Sequence, residues 1–128
     1  MCQTTNTILM IRPVNFRMNE QTAVNNFYQE EIHLEHSKIN ARAIEEFDNY
    51  VATLKNHGIH VIVVSDNKEF DTPDSVFPNN WISFHANGTV AIYPMFAENR
   101  RLERREDVLE EIESKGFIIN EIMDYTAA

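Results

Sequence analysis

Apolar and polar positions along this chain fall into short blocks whose period changes from one block to the next. Thr7-Ile8-Leu9-Met10-Ile11 is a brief apolar run ended by Arg12-Pro13, and it predicts a buried strand. Residues 14–19 are irregular and amide-rich, and 22–29 suit a short helical turn. Across 37–57 the residues Ile39, Ala43, Ile44, Phe47, Tyr50, Val51 and Leu54 recur every three or four positions. That period predicts one amphipathic helix with a single apolar stripe, capped by Ser37 and ended by a left-handed Gly58. Residues 59–64 are nearly all apolar and β-branched, which predicts a strand covered on both faces.

Residues 66–78 are polar and turn-rich. Beyond them, 81–84 and 89–93 read as strands, with Asn87-Gly88 between them as a hairpin signal. A second helix is predicted over 104–115, with Val108, Leu109 and Ile112 inward and Gly116 as its stop; 117–122 follows as a last strand. The order is strand, helix, strand, hairpin, helix, strand, which is an α/β architecture. Segments 41–64 and 105–122 look like two copies of one unit: amphipathic helix, glycine, apolar strand.

With 128 residues the chain is read as one domain over 1–128, long enough to bury roughly two-thirds of its unfolded surface. No apolar run approaches the ~18–20 residues of a membrane span, and the first residues lack the basic and apolar regions of a signal peptide, so a cytoplasmic protein is expected. Cys2 is the one cysteine, which rules out an internal disulfide. A net charge of −9 would repel a phosphate backbone or an anionic membrane, so neither nucleic acid nor membrane is an expected partner. There is no glycine-rich phosphate loop, and the histidines His33, His36, His57, His60 and His85 form no convincing metal set. No cofactor or metal is implied. Trp81, Phe84, Tyr93 and Phe96 are expected in the core.

Chemistry concentrates in Pro73-Asp74-Ser75-Val76-Phe77-Pro78-Asn79-Asn80-Trp81. Asp74 could merely cap a turn, and the two asparagines could merely satisfy backbone groups. Alternatively, Asp74 with Asn79 and Asn80 contacts a small polar ligand. A carboxamide offers both donor and acceptor, the mixture that a urea-like group requires, whereas a guanidinium cation favours carboxylates. Arg100, Arg101, Arg104 and Arg105 could form a solvated basic face paired with Glu103, Glu106 and Asp107. One of them could instead clamp a substrate carboxylate.

These residues resemble the guanidine-modifying superfamily: arginine deiminases, dimethylarginine dimethylaminohydrolases and amidinotransferases. The likeness runs through 73–81, the hairpin, Tyr93-Pro94-Met95 and 100–108, and 11–16 and 22–26 resemble the opening of its citrulline-utilising hydrolase branch. It implies an α/β propeller (pentein) fold, of which this chain would supply about the first two ββαβ-type modules as an N-terminal fragment. It also implies hydrolysis of a ureido or guanidino C–N bond by a cysteine thiolate and a histidine, neither of which has a matching position here. No catalytic residue is therefore expected in this chain, and alone it would be inactive. The resemblance places Asp74, Asn79 and Asn80 at substrate-binding positions, with Arg12, Asn15 and Arg104 as further contacts. Asparagine at 79 and 80, where relatives place acids, favours citrulline over arginine. The expected partner is a small guanidino or ureido amino acid, with homo-oligomers formed through uncovered strand edges. The competing reading is a non-catalytic ligand-binding or interaction module derived from that family.

Overall fold

The computed structural model describes residues 4–23 and 36–127. Strand β1 (Thr7–Arg12) is followed by a short helix α1 (Glu20–Ala23), a long helix α2 (His36–Asn56) and strand β2 (His60–Ser65). A 3-10 turn (Pro78–Asn80) leads into the hairpin β3 (Ile82–Phe84) and β4 (Thr89–Ile92). Then come α3 (Glu98–Arg101), α4 (Glu106–Ser114) and β5 (Glu121–Asp124). Cys2 and His33, and the expected helical turn beyond Ala23, lie outside the described residues.

The fold is mixed α/β with two small open sheets. β1 and β2 pair in parallel, Thr7 opposite His60 through Arg12 opposite Ser65. The second sheet has the order β3-β4-β5, antiparallel across the hairpin and parallel between β4 and β5. Each parallel pair is joined by a helix, α2 or α4, as a parallel connection requires. The repeat read in the sequence is therefore a repeat of topology. Gly58 and Gly116 end the two helices with φ of +81° and +94°.

One core serves both sheets. Ile11 of β1, Ile82 and Val90 of the hairpin, Val108 and Leu109 of α4, Trp81 and Met95 pack together, with Leu9, Val64, Ile92 and Ile119 at the margin. Val108, Leu109 and Ile112 are buried, so the inward face expected of the second helix is the observed one. That helix starts two residues later than expected, because residues 98–101 form a separate turn of helix.

Four expectations change. The strand over 59–64 is not covered on both faces: only Ile62 is buried, because its sheet is just two strands wide among the described residues. The last strand lies at Glu121–Asp124 rather than 117–122, where Asn120 donates its backbone N–H to the Gly88 carbonyl at 2.8 Å and sets the register. Tyr50 lies outside the buried stripe of α2, which consists of Phe47 and Val51. Phe96 is 79% exposed and Phe84 also faces outward, so of the expected aromatic core only Trp81 is fully buried.

Candidate functional site

Three loops converge, each following the carboxyl end of a strand: 13–19 after β1, 66–81 after β2 and 93–105 after β4. In open α/β sheets this is where ligands bind. Each loop is tied down. Asn40 of α2 accepts the Phe16 N–H at 2.7 Å and donates to the Val14 carbonyl at 2.7 Å. Thr72 donates its hydroxyl to Asp66 at 2.6 Å, closing the start of the second loop. Arg17 forks onto both oxygens of Asp71 at 2.6 and 2.7 Å, and Asn15 donates to the same carboxylate at 2.5 Å. The hydrogen bond from Arg17 is the leading reason the Asp71 carboxyl is held below the usual carboxylate range.

A deeper layer joins all three loops. Asn19 is fully buried and donates through Nδ2 to Asp74 Oδ2 at 2.9 Å and to Asn99 Oδ1 at 3.0 Å. Asn99 Nδ2 donates back to Asn19 Oδ1 at 2.9 Å. Asp74 is thereby aimed by the Asn19 amide, which the Asn99 amide from the third loop holds in place.

Arg100, on α3, gathers the rest. Its Nε and Nη2 donate to the two oxygens of Glu103 at 2.9 and 3.0 Å. Nη1 donates to Asn80 Oδ1 at 3.1 Å, and Nη2 also reaches the carbonyls of Phe77 at 3.3 Å and Asp74 at 3.4 Å. Its Nε stands 3.8 Å from Asp74 Oδ2. Glu103 is buried, and that burial pushes its carboxyl up, with the hydrogen bond and charge of Arg100 opposing.

Asn80 follows Pro78 in the 3-10 turn and precedes Trp81, whose ring is anchored in the core. Because guanidinium only donates, the Asn80 amide oxygen faces Arg100, and its Nδ2 remains a donor on the exposed side. The Asn79 side chain is exposed and makes no hydrogen bond among the described residues.

Of the residues expected from sequence, Asp74 and Asn80 are brought together through Arg100, with Asn79 adjacent. Asn15 belongs to the neighbouring Asp71 group. Arg12 forks onto Asp48 of α2 at 3.0 and 2.9 Å, away from Asp74. Arg104 donates to the carbonyls of Tyr93 and Arg101 at 3.4 Å and lines a concavity of about 210 Å³ with Pro94, Met95, Arg101 and Thr126. The arginine at Asp74 is thus Arg100. Within the basic run, the expected pairs with Glu103 and Asp107 form, through Arg100 and Arg105, and the exposed Arg101 donates to the Met95 and Phe96 carbonyls at 3.0 Å. The sequence reading gave no role to Asn19 or Asn99, and took Glu103 only as a partner of the arginine run. Only the i, i+3 spacing of Arg100 and Glu103 on a helical turn signalled any of them.

His85 Nε2 lies 3.1 Å from Ser83 Oγ, which meets the Tyr93 hydroxyl at 2.7 Å, and His57 Nδ1 lies 2.8 Å from the Thr53 carbonyl at the end of α2. Among the described residues no group of three or more His, Cys, Asp or Glu is placed to hold a metal, and no helix is long and apolar enough to cross a membrane. A larger concavity, about 580 Å³, lies between the start of β2 and Lys115 and Phe117. Neither concavity includes Asp74, Asn79 or Asn80.

Against known proteins, the family described as N,N-dimethylarginine dimethylhydrolase, eukaryotic, matches residues 12–128. The chain belongs to this dimethylarginine dimethylhydrolase family. No curated protein matches. Among solved structures, a cysteine-to-serine variant of DDAH from Pseudomonas aeruginosa, complexed with citrulline, is similar, with a TM-score of 0.60 and 19% identity. The match covers 92% of this chain and 40% of that one, so the chain spans about two-fifths of the length of the DDAH it resembles. Membership places the chain in the guanidine-modifying superfamily, and the likeness to DDAH extends through the loops that carry Asp74 and Arg100.

Proposed function

We propose that this chain supplies the ureido-binding part of a hydrolase acting on the C–N bond of a ureido or guanidino amino acid, with citrulline favoured. The observation that carries the reading is the orientation of Asn80. Arg100 occupies its amide oxygen, so the amide offers a donor to a ligand. A ureido group has a carbonyl to accept from Asn80 Nδ2 and N–H groups to donate to Asp74, whose Oδ1 is open among the described residues while Oδ2 is held by Asn19. A guanidinium has donors only, and would set N–H against N–H at Asn80. Asn79, adjacent and without a hydrogen bond among the described residues, supplies a second adaptable amide.

Arg100 serves as organiser, holding the 74–80 loop through two carbonyls and one amide. Arg12, Asn15 and Arg104 remain outer contacts at most. The reaction implied by the family needs a thiolate and a histidine, for which this sequence has no matching position. The 128 residues would therefore bind and orient, and the bond cleavage belongs to the propeller modules of a longer protein. As a second reading, the chain is a binding module in its own right. It is favoured by the partners the site already has in this chain: Asn19 holds Asp74, and Arg100 holds Asn80.

Calorimetric titration of the 128-residue chain with citrulline and with arginine tests the proposal. Citrulline is expected to bind about tenfold tighter, the equivalent of one hydrogen bond. Equal or tighter binding of arginine would overturn it. Turnover of citrulline by the chain alone would overturn the assignment of catalysis elsewhere.

A further inference from the structure

Glu103 lies between α3 and α4 and, at 4% exposed, is the most deeply buried carboxylate among the described residues. Its backbone N–H donates to the Arg100 carbonyl at 3.1 Å, which fixes the turn between the two. Both of its side-chain oxygens accept from Arg100, Oε2 from Nε and Oε1 from Nη2. Asp74 and Asp66, both from the 66–81 loop, act on it with the same sign of charge, and Asp66 is itself buried. Burial is the leading cause that pushes the Glu103 carboxyl up, and the two aspartates add to it. The ionised form therefore weighs against the fold, and a buried ion pair is in general no more stabilising than apolar packing of the same volume. Stability gives no reason for an acid at this position.

Geometry gives one. A guanidinium is planar: Nε and Nη2 share one edge, and Nη1 lies at the opposite corner. Glu103 grips the Nε–Nη2 edge, which sets the plane and leaves Nη1 turned to Asn80 Oδ1 at 3.1 Å. The weaker contacts of Arg100, to the Phe77 and Asp74 carbonyls, come from Nη2 and leave Nε without a second hydrogen bond. The other carboxylate within reach of Nε is Asp74, whose Oδ2 stands 3.8 Å away.

We propose that Glu103 is a positioning residue for the ureido ligand: its carboxylate keeps Arg100 off Asp74 and turned onto Asn80. Without that grip the guanidinium closes the gap to Asp74, and the Asn80 amide is released to present its oxygen. The acceptor and the donor that face a ureido group are then lost together. This inference rests on the reading of Asp74 and Asn80 as ligand contacts.

The test compares citrulline titrations of the unmodified 128-residue chain and of Glu103→Gln, and follows the side-chain resonances of Arg100 and Asn80 by NMR without ligand. Glu103→Gln is expected to bind citrulline about tenfold more weakly, the equivalent of one hydrogen bond. A ureido group is uncharged, so removing a charge does not by itself move its affinity. A loss confined to arginine would mark Glu103 as a charge alone and overturn the proposal. So would unchanged citrulline affinity in Glu103→Gln. In the unmodified chain, citrulline affinity is expected to fall as acid protonates Glu103, at a pH above the ordinary glutamate range, and Glu103→Gln is expected to be flat there. The same fall in both chains overturns the proposal. In the unmodified chain without ligand, the Arg100 Nε–H and the Asn80 amide resonances are expected to shift together over that same range. Asn80 resonances that stay fixed while Arg100 shifts overturn the proposal, and this readout depends on no variant folding. Tighter binding of arginine than citrulline by the unmodified chain would overturn the ureido reading instead, and the Asn80 resonances would still decide whether Glu103 positions that amide.

Discussion

Arg100 is partnered on every side of its guanidinium, and the candidate site depends on it. Its fork neutralises Glu103, which is buried, while its remaining donor orients Asn80. Arg100→Ala would strand a buried carboxylate and is expected to cost about 3 kcal/mol in urea unfolding followed by Trp81 fluorescence. Adding Glu103→Gln should recover a large part of that loss. Arg100→Lys should not restore stability, because an ammonium cannot make the fork. A second residue-scale effect concerns pH. Asp71 is held low by Arg17, so its contribution to stability is present above its unfolded pKa of about 3.9 and is lost as pH falls through the lower folded value. Asp71→Asn should therefore flatten the acid limb of a stability–pH profile. The change should stay below about 1 kcal/mol, because the Asp71 side of the pair is exposed to solvent. Glu103 acts with the opposite sign: burial raises its folded pKa, so its ionisation weighs against the fold as pH rises through that value.

At the scale of elements, the hairpin turn is where local and distant structure meet. Gly88 has φ of +85°, and a Cβ placed there would strike the Asn120 amide and lie 3.1 Å from the Ile118 carbonyl. Gly58 has φ of +81° but open space around it. Alanine at either position carries the left-handed penalty of about 1–2 kcal/mol. Only at Gly88 must the segment leading into β5 also move. Thermal unfolding should therefore show Gly88→Ala clearly less stable than Gly58→Ala; equal losses would mean that the 117–120 arm yields freely. That arm also explains why the last strand was misplaced. Its apolar run, Phe117-Ile118-Ile119, is as β-prone as a strand. Yet only Ile119 is partly buried against the core, and pairing with β4 begins at Glu121. β-propensity reports the fit to a half-buried surface and does not choose the register.

At the scale of the whole molecule, α4 and the side chains of both sheets share one core, which holds three loops at the carboxyl ends of β1, β2 and β4. Phe117, Ile118, Ile122, Met123 and Tyr125 remain exposed. The sequence by itself determined the order and kind of the main elements, though not every boundary, because apolar periodicity, the two glycine helix stops and the glycine of the hairpin turn act over a few residues and need no distant partner. It also singled out Asp74, Asn79 and Asn80, since a proline and a core tryptophan fix where a neighbouring amide can sit. Which arginine reaches Asp74 was decided only by the tertiary structure. Four arginines lie within six positions, and their directions depend on the break between α3 and α4 and on the buried carboxylate of Glu103. The roles of Asn19 and Asn99 were settled there too: they are 80 residues apart, and an amide carries no sign in sequence of the partner it will meet across a fold.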